Sequence, residues 1–479
     1  MAGLFGSLEL AKKSLITNQY AFQVIGHNIA NINTDNYTRR RIDLSPSSSV
    51  QLGGNTYGTG VDIAQVHGVR DRFLEYQIQR ETQNSGKQGS MSGYFEIVEA
   101  LFSEKTSTGI GTSMQSFFNS WSDLSNNPTG LAERYSVVSK GTILASKVKE
   151  IYTQLSSQQA IQDNTVYTTV QTINTAAKEI ASINTKISAG LKVSEEMNDL
   201  RDRRNVLLEQ LGTQVGINVY ENEAGEMTVE MAGKPFIVGG TYHPLEISRN
   251  GANHNFYDVS LTQSGPSVNI TSSIKTGALG GILEMRDKTI PAYQNQLDSL
   301  AYGIITNVNS IHSTGYDTQG GTPTNFFVPF TPATAGDYTG AALHFEVNPD
   351  LVADPNRVAA SSVNGEVGNN KVALALADLQ RATSVVDSDN DGTFDTGTFS
   401  DYYGKLTTKI GAEALTTYSQ ETASGEVLVG LKNRRDEVSG VSLDEESSSL
   451  IQYEKAYQAM ARFMGVISDM TDILVNLGS

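Results

Sequence analysis

The chain has 479 residues, with 35 Lys and Arg against 52 Asp and Glu, a formal net charge of −17. That balance excludes the basic footprint of a nucleic-acid binder, and the absence of cysteine excludes disulfides, thiolate catalysis and Cys-based zinc sites. A hydrophobic content of 38% supports real cores, and the length suggests about three domains. Met1 to Gln19 has no long apolar core and no cleavage-site pattern, and no later run approaches a membrane span, so any export proceeds without a cleaved leader.

Residues 1–65 read as a stem helix followed by an extended arm. Leu4, Leu8, Ala11, Leu15, Phe22, Ile25, Ile29 and Ile32 step by four and three, with one skipped position at Asn18. This is the a/d seam of a coiled coil rather than the wider stripe of a helix lying on a globular core. Asn33 to Asn36 end the helix, because short polar side chains compete for backbone hydrogen bonds and Asn tolerates a left-handed turn. Arg39, Arg40 and Arg41 open a basic arm, which continues through a Ser/Gly-rich loop to a short strand at 61–66.

Residues 66–213 read as the first part of a helical rod. The segment from about 70 to 102 is helical, interrupted at Gly86 and Gly89. Phe117, Phe118 and Trp121 form a local hydrophobic plug. The stretch 131–211 predicts a helical hairpin, one helix running to about Asp163 and the next onward to about Leu211. Within it the run from Glu195 to Arg204 reads as a solvated, mutually paired charged face. At 214–276 the period changes to two, as in Ile217/Val219, Met227/Val229/Met231 and Phe236/Val238, which predicts an inserted β-rich domain. Residues 277–316 return as a rod helix. Residues 317–362 are a second small lobe or a packed long loop, 363–440 hold the return helices, and 441–479 form a C-terminal stem helix.

That last helix opens on Ser442, with Glu445 three residues on, a capping-box spacing. Its seam is Leu450, Tyr453, Tyr457, Met460, Met464, Ile467, Thr471 and Leu474. Two terminal seams must each be buried against something, and the economical partner of one is the other. The fold class is therefore mainly α with inserted β structure: the N- and C-terminal helices pair as a coiled-coil stem, a long helical rod follows, and a small β-rich lobe is inserted in it.

Both ends also carry motifs. Asn28-Ile29-Ala30-Asn31, Asn33-Thr34 and Tyr37-Thr38-Arg39 resemble the N-terminal signature of the bacterial flagellar rod, hook and hook-associated axial family. Asn36 stands where that family usually has Gly. Ser439-Gly440-Val441-Ser442-Leu443-Asp444-Glu445-Glu446, Leu450-Ile451, Tyr453 and Ala456-Tyr457-Gln458-Ala459 are similar to its C-terminal signature, with Ser442 where Asn is usual. Rod and hook members have mostly β middles, so the helical middle resembles the hook-associated members that join hook to filament.

The resemblance implies export through the flagellar type III pathway, an extracellular place at the hook–filament junction, and self-association into a ring or tube. Its implied partners are further copies of the chain, the hook protein, the next junction protein and an export chaperone at the C-terminal stem, with no nucleic acid and no membrane. Assembly is expected to bury Leu8, Leu15, Phe22, Ile25, Asn28, Asn31, Tyr37 and Arg39 with Leu443, Asp444, Glu445, Leu450, Tyr453, Tyr457, Met460, Met464 and Ile467. Arg39 to Arg41 are expected to pair with Asp444 to Glu446 of an adjacent subunit.

No catalytic constellation emerges from the sequence, and no cofactor is implied. The six His have no ligand spacing and read as structural or surface residues. One chemical motif stands out: Asp387, Asp389, Asp391 and Asp395, with Gly392, fall at the spacing of a calcium loop, although Thr398 stands where a bidentate Glu is needed. A plain acidic turn is the preferred reading. A hook or rod protein, or a secreted calcium-dependent binding protein or adhesin, are the alternative functions; an enzyme has no residues to carry it.

Overall fold

The computed structural model describes residues 2–477 apart from 53–54, 104–108, 191–194, 223–224, 264, 322–323, 335, 384 and 388–394. Helix α1 (Ala2–Ala30) runs into turns, and Asn36 takes φ of 61°, the left-handed conformation its short polar side chain tolerates. Strand β1 (Arg40–Pro46) leads through the hairpin β2 (Val50–Leu52) and β3 (Asn55–Tyr57) to β4 (Val61–Gly68), which pairs antiparallel with β1. Most of the expected loop over 42–65 is thus a ribbon lying against α1. Its strands are short and only every second residue is apolar, as where Leu44 faces Ile63, so among Ser and Gly the alternation is faint.

Helices α2 (Arg72–Phe102), α3 (Ile110–Asn126), α4 (Leu131–Ala189) and α5 (Glu195–Gln214) follow. Two expectations fail here. Helix α2 runs unbroken through both glycines. A Cβ on Gly86 would lie 2.2 Å from the Thr213 carbonyl oxygen, so this glycine permits close approach of α2 to α5. Helix α4 is continuous over 59 residues, and the chain reverses between Ala189 and Glu195, not at Asp163. Asp163 is buried mid-helix, paired with Arg286 at 2.9 Å and Arg249 at 2.6 Å; a helix-breaking residue type is here a partner for distant cations.

Strands β5 (Ile217–Glu221), β6 (Met227–Met231), β7 (Lys234–Val238) and β8 (Thr241–Tyr242) form a four-stranded antiparallel sheet in chain order. Strands β9 (Leu245–Asn250), β10 (Phe256–Leu261) and β11 (Val268–Asn269) form a second sheet with β10 central. Helix α6 (Gly277–Glu284) passes through a π-turn, Met285–Thr289, into α7 (Ile290–His312). After α8 (Pro349–Ala353) come α9 (Lys371–Asp378), α10 (Phe399–Ser439) and α11 (Leu443–Leu477).

Two apolar cores result. The first joins α3, the first half of α4, α7, α9 and the start of α10. Trp121 is fully buried there, with Phe326 at 5.3 Å between ring centres. Phe326 and Phe327 are both fully buried in this core, so 313–362 behaves as a packed loop rather than a separate lobe. Buried His312 pins that loop: its Nδ1 lies 2.6 Å from the Thr324 carbonyl and its Nε2 accepts from the Ala359 amide at 2.9 Å. The second core joins the rest of α4, α5 and α6 to both sheets. Neither core includes a residue of α1, the ribbon or α11.

Candidate assembly interface

The stem is built by α1 and α11 running antiparallel. Phe22 meets Tyr457 edge-on with ring centres 6.3 Å apart, while Asn28, further along α1, meets Glu446 at the start of α11. On α11 the expected seam is the covered face: Tyr453, Tyr457, Met460, Met464 and Thr471 are half-buried and Ile467 is buried. Leu450 lies at the seam's margin, 37% exposed, and Leu474, its last expected member, is 49% exposed and off the covered face. On α1, Ile25 is buried, Leu15 and Phe22 are half-buried, and Leu8 is 38% exposed. A second buried face of α1, with Ala21, Val24 and Asn28, turns toward the ribbon.

Asn28 is the hub of the terminal motifs. Its Nδ2 donates to the Arg40 carbonyl and to Glu446 Oε2, both at 3.0 Å. Its Oδ1 accepts from the Arg40 amide at 2.9 Å and from Tyr37 Oη at 3.0 Å. All four hydrogen-bonding positions of one buried amide are used. Arg39 clamps the first turn of α11: its Nε donates to Glu446 Oε1 at 2.7 Å, its Nη1 pairs with Glu445, and its amide donates to the Ser439 carbonyl at 2.8 Å. The pairing of Arg39 with the acidic turn, expected between subunits, is therefore met inside the chain. Leu443 and Asp444 are exposed, and Asn31 closes the end of α1 by donating to the His27 carbonyl and accepting from Thr34.

The charge run of α5 is a solvated face only in part: Glu196, Asp199 and Arg203 are exposed, while Asp202 and Arg204 turn inward. Arg40 is buried under the Tyr37 ring and ion-pairs with Asp199. Asp202 accepts from Thr38 Oγ1 at 2.7 Å and pairs with Arg70 at 3.2 Å. Burial pushes the Asp202 carboxyl above its ordinary range, against the pull of Thr38 and Arg70, and burial also pushes Glu75 up. Arg204, buried against Asn184 and Glu221, is lowered by burial to about 10. Glu446, expected in the acidic turn but not on the apolar seam, is buried; it lies seven residues before Tyr453, on that seam, and that register was its signal. Asp199, Asp202 and Arg70 had no such signal, because their partners are distant in sequence.

Of the acidic motif, Asp387 is buried and its Oδ2 accepts from Tyr338 Oη at 2.6 Å, while Asp389 and Asp391 lie outside the described residues. Thr398, the twelfth position, caps α10 in a capping box with Asp401.

A family model described as the flagellar hook-associated protein FlgK helical domain matches residues 95–327, and one described as the flagellar basal body rod FlgEFG protein C-terminal region matches 433–477. The chain is similar to the flagellar hook-associated protein 1 family along its whole length. The flagellar hook-associated protein 1 of Bacillus subtilis is 26% identical over 99% of this chain and 99% of its own. That of Escherichia coli K12 is 26% identical over 98% of each. The structure of the flagellar hook junction protein FlgK from Burkholderia pseudomallei shares the fold, with a TM-score of 0.67 at 15% identity, covering 76% of this chain and 100% of that one. This hook-associated family is structural, not enzymatic. Among the described residues, no helix is long and apolar enough to cross a membrane.

Proposed function

We propose that this chain is a structural subunit of the bacterial flagellum that self-assembles at the distal end of the hook to form the hook–filament junction, after export through the flagellar type III pathway. One observation carries the self-assembly. Beyond the seam that faces α1, the C-terminal half of α11 shows a second apolar stripe, Phe463, Val466, Met470 and Ile473, spaced three, four and three and between 41% and 59% exposed. A helix apolar on two faces has two partners. The first is α1; the second, in this reading, is the stem of a neighbouring copy, giving a ring or tube that seats on the hook protein and receives the next junction protein. Before assembly, the same stripe is the surface an export chaperone would cover. Similarity to a helical hook-associated domain, rather than a β middle, favours this reading over a hook or rod subunit.

The test is V466D/I473D, which charges the outer stripe and leaves the inner seam untouched, introduced into cells lacking the native chain. The expected result is filament subunits shed into the medium and lost motility. Attached filaments and full motility would sink the proposal.

A further inference from the structure

The four-stranded sheet leaves one edge open. Strand β5 pairs with β6 on one side only, without a bulge. In such a ladder alternate residues turn both backbone groups to the same side. Ile217 turns its carbonyl away from β6, where Gln83 of α2 donates to it at 2.7 Å. Val219 and Glu221, in the same set, turn their N–H and C=O groups the same way, and among the described residues nothing bonds to them. This open edge borders a cleft of about 790 Å³ between β5, the start of α2 and α5. Leu208, Val219 and Met227, packed on the second core, give the cleft apolar walls. Two buried polar atoms of its lining, Thr82 Oγ1 and Arg204 Nε, have no hydrogen-bond partner. Its charges balance, four arginines against four carboxylates, with Arg70 paired to Asp202 and Arg204 to Glu221. An open strand edge beside apolar walls and balanced charge fits an extended, uncharged peptide segment.

The chain carries such a segment. In a sequence of net charge −17, no charged residue falls between Ser47 and Gly60. Within that stretch β2 and β3 form a sheet of their own, with no third strand on either side among the described residues. Val50 and Tyr57, opposite one another, are 47% and 52% exposed. A lone two-stranded hairpin is marginally stable, so a third strand is what would order it. The hairpin's own β5 is out of reach: from Arg40 to Pro46 the paired ribbon spans roughly 20 Å, which holds the hairpin away from Gly68 at the cleft. We propose that on assembly the hairpin of one copy adds as a strand to β5 of the next, with Thr56 against Val219. Tyr57 then lies on the face of Tyr220, which is 56% exposed. The contact is head-to-tail, the kind whose rotation closes rings. It rests on the junction reading and names the surfaces by which copies meet there.

The test replaces Tyr57 by the photoreactive benzoylphenylalanine, in cells whose only copy of the chain is the altered one, and irradiates intact flagella. The expected product is a covalent dimer that joins position 57 of one copy to a residue of β5 in another. V219P removes a donor that points to the open edge and takes no bond from the pairing of β5 with β6. Combined with the photoreactive residue, it is expected to keep the main melting transition within a few degrees and to cut the dimer yield about tenfold. Three results overturn the contact while the junction reading stands: flagella that carry the chain yet give no dimer, capture of position 57 on another surface, or V219P dimers at the parent's yield. Flagella that lack the chain altogether overturn both.

Discussion

At the residue scale, Asn28 shows how one side chain can tie together two ends of a chain. It satisfies both backbone groups of Arg40, the Tyr37 hydroxyl and the Glu446 carboxylate from a site only 1% exposed. In N28A those four groups lose a partner at once, and stranded buried polar groups cost more than the hydrogen bonds are worth. The stem is expected to lose about 2–4 kcal/mol, read as proteolysis confined to both termini while the rod resists; uniform resistance would refute the hub. A second pair of residues governs pH. Burial raises Asp298 to about 6, although it accepts from the Gly340 and Ala342 amides, and burial lowers His312 to about 4. Asp298 binds its proton more tightly folded than unfolded, so its contribution to stability is lost as pH rises from about 4 to about 6. His312 binds its proton less tightly folded, so its contribution is lost as pH falls from about 6.5 to about 4. Each shift is worth roughly 3 kcal/mol, and the two offset. In D298N only His312 remains, so the denaturation midpoint is expected to fall steeply from pH 7 to 4.5, where the parent is nearly level in these groups. Parallel pH profiles for parent and variant would refute the assignment.

At the element scale, the π-turn Met285–Thr289 and the middle of α4 form one unit. Arg286, fully buried, donates to Asp163, to Asp287 and to the Tyr257 carbonyl, while the Tyr257 amide donates to Asp163 at 2.7 Å. This cluster ties the second sheet to the helical rod. R286A leaves Asp163 buried with only the half-exposed Arg249 as a cation partner; the expected loss is about 3–5 kcal/mol, with R286A/D163A less destabilised than the sum of its single variants. Additive losses would show that the pair is not coupled. The same cluster explains what sequence reading reached. Both terminal seams were legible because a heptad period is local, and so were the alternating strands of the first sheet. The hairpin turn expected at Asp163, the breaks expected at Gly86 and Gly89, and the inward part of the charged run, Asp202 and Arg204, differ from expectation for a shared reason: each residue type is chosen for a neighbour brought in by the fold. Asp163 answers Arg286, Gly86 answers the Thr213 carbonyl, and Asp199 and Asp202 answer the arm. The arm's own alternation was too short to stand out among Ser and Gly.

At the scale of the whole molecule, the chain divides by the kind of interaction that holds each part. The rod and its sheets have two apolar cores drawn from 95–414, while the stem has a narrow seam, a polar hub and an exposed outer stripe. Stability scales with apolar area removed from water, and two helices with one seam and a short ribbon remove little, whereas the rod buries Trp121, Tyr293 and several phenylalanines completely. Unfolding is therefore expected in two steps, the stem first. Deleting 1–40 together with 443–479 removes α1 and α11 in one step and cuts no residue from either core. The truncated chain is expected to keep the main calorimetric transition within a few degrees of the full chain's, to lose the earlier one, and to remain monomeric where the full chain associates at high concentration. A single transition in the full chain, or a truncated chain that no longer melts cooperatively, would mean that the stem supports the rod, and the separation of an assembling stem from a self-sufficient rod would have to be given up.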